Sequence, residues 1–153
     1  DIDGGINVGG FASLRLAPFY IDAAYVQQVT GDDLGHTIRL GIGWEDQLTE
    51  RVSARAYLSS AYASDAYMDA HFSVSPAQAA ASAAGLPVYD ARSGFKNISL
   101  QVGADYKITE RWTVVSKLGY SHLIGDAADS PITASKSQLS GGLGLTYTFG
   151  QTR

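Results

Sequence analysis

Acid–base or metal chemistry in this sequence would have to start from three histidines, His36, His71 and His122, because imidazole changes charge near neutral pH and is a common metal ligand. A hydrolase needs a nucleophile, a base and a group that orients the base, all in contact. Ser121 stands beside His122, but neighbours along a strand point to opposite faces, so these two side chains cannot meet directly. Asp126 and Asp129 could be a carboxylate pair or part of a Ca²⁺ ligand set. The run Gly125-Asp126-Ala127-Ala128-Asp129-Ser130-Pro131 reads instead as turn and capping chemistry, with Asp accepting from nearby backbone N–H groups. Gly9-Gly10, Gly41-x-Gly43 and Gly141-Gly142-x-Gly144 precede no helix, so they are not phosphate loops. The absence of cysteine removes thiolate metal sites, disulfides and thiol catalysis. No complete constellation remains, and no catalytic, metal-binding or cofactor-binding residue is expected.

The elements that would carry these residues are strands. Charged residues make up 17% of the 153-residue chain, against roughly 25% in soluble domains, and 17 Gly and 9 Tyr suit strands better than helices. The net charge of −4 and the scattered Lys and Arg residues leave no basic footprint for nucleic acid. No apolar run is long enough for a transmembrane helix. The chain opens Asp1-Ile2-Asp3 without a Met or a signal peptide, and is expected to be a mature product or a fragment.

Period-two alternation recurs along nearly the whole length. Ile6, Val8, Ala12, Leu14 and Leu16 share a face opposite Asn7, Ser13 and Arg15, with Phe11 out of pattern. After an Ala17-Pro18 turn come Phe19, Ile21, Ala23, Tyr25 and Val29, opposite Asp22 and Gln28. A second turn is expected at Gly31-Asp32-Asp33-Leu34-Gly35. The third strand, His36 to Glu45, sets Ile38, Leu40, Ile42 and Trp44 against Thr37, Arg39, Gly41, Gly43 and Glu45. The fourth sets Val52, Ala54, Ala56, Leu58 and Tyr62 against Arg51, Ser53, Arg55, Tyr57 and Ser59. From Lys96, Ile98, Leu100, Val102, Ala104 and Tyr106 oppose Asn97, Ser99, Gln101, Gly103 and Asp105, and then Trp112, Val114, Leu118 and Tyr120 oppose Thr113, Lys117, Gly119 and Ser121. In the closing strand, Gln138 to Phe149, the odd positions through Tyr147 and Phe149 are apolar or Gly and the even ones small or polar. Seven strands of about ten to twelve residues result, near the length a tilted strand needs to cross a bilayer.

Two long connections interrupt this pattern. Residues 63–95 hold a short helix over 76–84, with Ser75 as N-cap, Pro76 at its first position, and Gly85 with Pro87 ending it. Residues 123–137 form the second loop. The opposite strand ends are joined tightly, and two of these turns repeat each other: Leu48-Thr49-Glu50-Arg51-Val52-Ser53 and Ile108-Thr109-Glu110-Arg111-Trp112-Thr113. Short turns at one end and long loops at the other suit an outer-membrane barrel. So do two aromatic girdles: Phe19, Trp44, Tyr106, Trp112, Tyr147 and Phe149 towards the short turns, and Tyr25, Tyr62 and Tyr120 towards the long loops. Strand charges fall on the other face, at Arg15, Asp22, Arg39, Glu45, Arg55, Asp105 and Lys117, which suggests a lumen crossed by ion pairs. The expected fold is therefore all-β: a single antiparallel transmembrane β-barrel domain, of which seven strands are visible. Such barrels have even strand counts, so these seven are expected to be part of a larger one of about twelve. A soluble lipocalin-like barrel with its apolar faces inward is the alternative, since periodicity alone does not separate the two.

The loops carry a family resemblance. Phe72-Ser73-Val74-Ser75-Pro76-Ala77-Gln78-Ala79-Ala80, Gly85-Leu86-Pro87-Val88-Tyr89-Asp90-Ala91 and Gly94-Phe95-Lys96 resemble the outer-loop signature of the MipA/OmpV family of outer-membrane proteins. Leu123-Ile124-Gly125-Asp126-Ala127-Ala128-Asp129-Ser130-Pro131-Ile132 and the closing Gly-Leu-Gly-Leu-Thr-Tyr-Thr-Phe do so too. The resemblance covers essentially the whole chain. It departs at Ser73, where the family pattern has Gly, and in the four residues after Phe149. Gly144, Tyr147 and Phe149 still resemble the signal read by the bacterial barrel-insertion machinery. The resemblance implies a location in the bacterial outer membrane, contact with its lipid, and a non-enzymatic scaffold role joining a lytic murein transglycosylase to a murein synthase. The turn residues Thr49, Glu50, Arg51, Thr109, Glu110 and Arg111 would then face the periplasm. A small-solute channel and a surface adhesin are the alternatives.

Overall fold

The computed structural model describes residues 5–31 and 35–150. Seven antiparallel strands form one sheet in chain order: β1 (Asn7–Leu16), β2 (Phe19–Gln28), β3 (His36–Gln47), β4 (Val52–Ala63), β5 (Gly94–Lys107), β6 (Trp112–Leu123) and β7 (Ser137–Tyr147). β1 and β7 are the two edges, so the sheet is not closed into a barrel. Between β4 and β5 lie helices α1 (Asp65–Phe72) and α2 (Pro76–Ala81), and α3 (Gly125–Asp129) lies between β6 and β7. Among the described residues no helix is long and apolar enough to cross a membrane.

The register turns the sequence alternation into two faces. Leu14, Ile21, Ile42, Leu58, Leu100, Tyr120 and Leu139 pair in succession across all seven strands. The adjoining row, Ser13, Asp22, Gly41, Ser59, Ser99, Ser121 and Gln138, faces the other way. Ser60 and Ser116 interrupt the apolar face, and both hydroxyls are satisfied by a neighbouring strand: Ser60 Oγ donates to Asn97 O (2.7 Å) and Ser116 Oγ to Ala104 O (2.9 Å). Neither therefore presents an open donor on that face.

Among the described residues, nothing packs over the apolar face. Leu58 is 47% exposed, Leu118 50% and Leu143 80%. The buried apolar residues, Ala63, Met68, Val74, Ala91, Ala127 and Ala128, lie in or beside the helical connections at one end of the sheet.

Several boundaries differ from the sequence expectation. The helix expected over 76–84 ends at Ala81, and Ser82 is already extended. Ser75 caps it as expected, in a full capping box with Gln78, but none of its residues is buried, so nothing holds a further turn in place. α1 and α3 were not anticipated. α1 has no clear apolar stripe, and Met68 is its only buried residue. β4 runs to Ala63, β5 starts at Gly94, and β7 ends at Tyr147 with Phe149 beyond it, so the long connections are 64–93 and 124–136. Of the turn expected at 31–35, Asp32, Asp33 and Leu34 lie outside the described residues.

Candidate interaction surfaces

The polar face brings six of the seven predicted charges together in pairs. Arg55 Nη1 lies 2.9 Å from Asp105 Oδ2, Arg39 Nη2 3.6 Å from Asp22 Oδ1, and Arg15 Nη2 3.9 Å from Glu45 Oε2. Only the first is short enough for a hydrogen bond; the other two are looser ion pairs. Two tyrosines tie this face together: Tyr57, which the alternation places on it without a partner, and Tyr20, which the sequence reading missed. Tyr57 OH donates to Asp22 Oδ1 (3.0 Å), and the Tyr57 ring lies nearly parallel to Tyr20, with centroids 6.0 Å apart. The Arg15 guanidinium sits 5.9 Å from the Tyr20 centroid. Gly41 and Gly43 make this possible: a Cβ at Gly43 would strike the Tyr20 ring, and one at Gly41 the Tyr57 ring. The Gly-x-Gly spacing on β3 was the available signal, but its partners are set by register.

At the short-turn end the internal repeat becomes one turn built twice. Thr49 Oγ1 accepts from the N–H groups of Arg51 (3.2 Å) and Val52 (3.0 Å), while Leu48 N–H donates to Val52 O. Thr109 Oγ1 accepts in the same way from Arg111 (3.2 Å) and Trp112 (3.1 Å), while Ile108 N–H donates to Trp112 O. A bond from Lys107 N–H to Arg51 O (2.8 Å) joins the two, and Glu50, Arg51, Lys107, Thr109 and Glu110 border the recess between them.

The predicted aromatics fall into two groups. Near the short turns, Trp112 and Tyr147 have centroids 4.8 Å apart and Tyr147 and Phe149 4.7 Å, while Phe19 pairs with Trp44 and Val52 with Tyr106 in the register. Near the long connections, Tyr62 meets Phe95 edge-on at 5.9 Å, Tyr25 meets His36 at 5.5 Å, and Tyr120 meets His122 at 6.4 Å. Phe95 is an addition to this group, brought opposite Tyr62 by the register shift next to Ala61.

The family-motif loops fold together into a cap. Val74 and Tyr89 bridge one another through both backbone groups. Ser73, the residue that departs from the family pattern, accepts from Ala91 N–H (2.9 Å), a bond glycine could not make. Asp126 acts between loops rather than within its own turn: its Oδ2 accepts from Arg92 N–H (2.8 Å), and its carbonyl from Tyr89 OH (3.0 Å). Ser130 Oγ donates to Phe72 O, and Asp129 pairs with Lys136 at 3.0 Å. Ser75 and Pro76 open α2, and Gly85 follows it with φ +67. Leu86 N–H donates to Ser82 Oγ (3.3 Å), and Pro87 and Pro131 lie in irregular chain. Burial raises the pKa of the Tyr89 phenol, and Asp126 and Asp129 push it the same way.

Asp65 clamps the start of α1 to the end of the same connection, its Oδ1 accepting from Ser93 N–H at 2.7 Å. That bond and the Ser93 hydroxyl hold the carboxyl below the usual aspartate pKa. A depressed pKa stabilises the fold above the unfolded value of about 3.9 and ceases to do so as pH falls through the folded one. Hydrogen-exchange protection of the Ser93 amide is therefore expected to be lost in acid, below about pH 4. Asp65→Ala should lack that protection at neutral pH too; protection that is independent of pH in the wild type would refute the clamp.

The histidines do not assemble into a site. His71 Nδ1 lies 2.9 Å from Tyr67 O, and the backbone N–H of His36 donates to Ser64 Oγ. His122 does reach a serine, but it is Ser137 across the strand pair (2.8 Å); Ser121 turns to the other face and bonds Ser99. The described contacts of His122, Ser137 and the Tyr120 ring, supply no carboxylate to orient the imidazole.

These features define an all-β protein built on one up-and-down antiparallel sheet, apolar on one face and charged on the other, with a small helical cap at one end. The chain belongs to the MltA-interacting protein MipA family, whose model matches residues 1–149. No curated protein matches it.

Proposed function

We propose that the sheet is part of the wall of an outer-membrane β-barrel, and that its short-turn end is a periplasmic docking surface for murein-acting enzymes. The observation that carries the membrane part is the exposed apolar face. A row of Leu, Ile and Tyr crosses all seven strands and meets no core, while the buried residues cluster at one end. Contiguous apolar surface of this extent calls for lipid or a partner. Strands of 10 to 14 residues, aromatics grouped at both ends and charges on the opposite face favour lipid. Lumenal positions for Arg15, Asp22, Arg39, Glu45, Arg55, Asp105 and Lys117 follow from that orientation.

The family description, MltA-interacting protein, favours a lytic murein transglycosylase as partner, and the scaffold role adds a murein synthase. The twin turns are the surface best suited to this. They present the same charged Thr-Glu-Arg unit twice, rigidly bonded and side by side. Arg51→Glu with Arg111→Glu is expected to cut capture of the transglycosylase by the full-length protein at least about tenfold, the scale of losing one or two charge-assisted contacts. Undiminished capture by this variant would exclude the turns as the docking surface.

A further inference from the structure

The seven charges predicted for the polar face do not cancel among themselves. Three arginines pair with three carboxylates, and Lys117 makes no ion pair among the described residues. In the register Lys117 stands between Gly103 and Gly142, so neither neighbouring strand places a side chain beside it. Its stem leans over Gly142, where a Cβ would come 3.0 Å from Cε. Arg55 leans likewise over Gly103, its Nε 2.8 Å from the position a Cβ would take. Arg39 is held only loosely, 3.6 Å from Asp22, and its side chain is 54% exposed. These three cations border one cavity of about 490 Å³ that also meets Tyr20, Tyr57 and Gln101. Phe11, the apolar residue out of pattern on β1, lines it too.

We propose that this cavity binds a small oxyanion, a phosphate or carboxylate, with Lys117 as its principal anchor. A cavity with three cations and one carboxylate, Asp22, on a wall that is otherwise neutral favours a solute of negative charge. Lys117 offers an uncommitted ammonium, and Arg39 can turn part of its planar fork from Asp22 towards the ligand. The Gln101 amide on the same wall provides a neutral donor. The volume suits a small ligand. The site does not depend on what covers the apolar face, so it can fail independently of the membrane reading.

The test is calorimetric titration of the full-length protein in detergent micelles with inorganic phosphate and, separately, citrate; glucose and chloride are the neutral and monatomic controls. Saturable binding of one or both oxyanions is expected, with the tighter of the two identifying the ligand class. Lys117→Gln should weaken it at least tenfold, Lys117→Arg should retain most of it, and Arg39→Gln should give an intermediate loss. Wild-type affinity in Lys117→Gln, or chloride competing as well as phosphate, would overturn the proposal. If Lys117→Gln does not fold, judged by its far-ultraviolet dichroism, an undiminished affinity in Arg39→Gln overturns it instead.

Discussion

Leu58→Arg is expected to destabilise the protein in lipid vesicles by about 2–4 kcal/mol, the cost of a lipid-facing arginine at the bilayer midplane. Leu58 lies in the middle of β4, between Ile42 and Leu100 on the apolar face, and is 47% exposed. Among the described residues no side chain lies over it, so an arginine there meets whatever solvates that face. Val52 shares the face but starts the strand, beside the short turn, and Val52→Arg is expected to cost no more than about 1 kcal/mol, because an arginine near the interface reaches the headgroups. Equilibrium unfolding in guanidinium, in vesicles, measures both. The difference between the two depths is the diagnostic. A protein core would penalise arginine at either position, and water would penalise it at neither. Equal costs at Leu58 and Val52 would count against lipid. As a reference, Ser140→Arg on the polar face should be nearly neutral, since its side chain is exposed there.

The second large effect concerns the helical cap. Met68 is 1% exposed and is the largest fully buried side chain among the described residues; it clusters with Ala63, Ala91 and Ala127, and with partly buried Tyr67, Phe72, Tyr89 and Leu123. Met68→Ala removes the bulk from a cluster whose other fully buried members are already alanine. The surroundings have little to collapse with, so a cost of about 2–5 kcal/mol follows. The loss should be local, because the sheet is held by its own ladders. Amide protection at Ala91 and Ser93, which bond to Ser73 and Asp65, should fall more than tenfold, while that of Leu100 in β5 stays unchanged. Met68→Leu, which conserves volume, should cost less than about 1.5 kcal/mol. Uniform loss of protection across cap and sheet would show that the two unfold as one unit, contrary to this expectation.

The sequence by itself determined the seven strands, their two faces and the repeated turn, for one physical reason. Side chains alternate across a strand, so a period of two is written in consecutive residues and needs no partner to be read. Ser75 and Pro76 announced α2 in the same local way. What depended on contacts distant in sequence could be read only from the tertiary structure. α1 is held by one buried methionine and a clamp from Asp65 to Ser93, 28 residues away, and it shows no helical stripe in the sequence. Asp126 carries the chemistry expected of a capping aspartate, but its backbone partner is Arg92 in the other connection. Ser137, not adjacent Ser121, reaches His122 because register and not sequence proximity sets neighbours in a sheet. The charges on the polar face were legible as a set. Which of them pair, and that Lys117 is left over between two glycines, followed only from the alignment of seven strands.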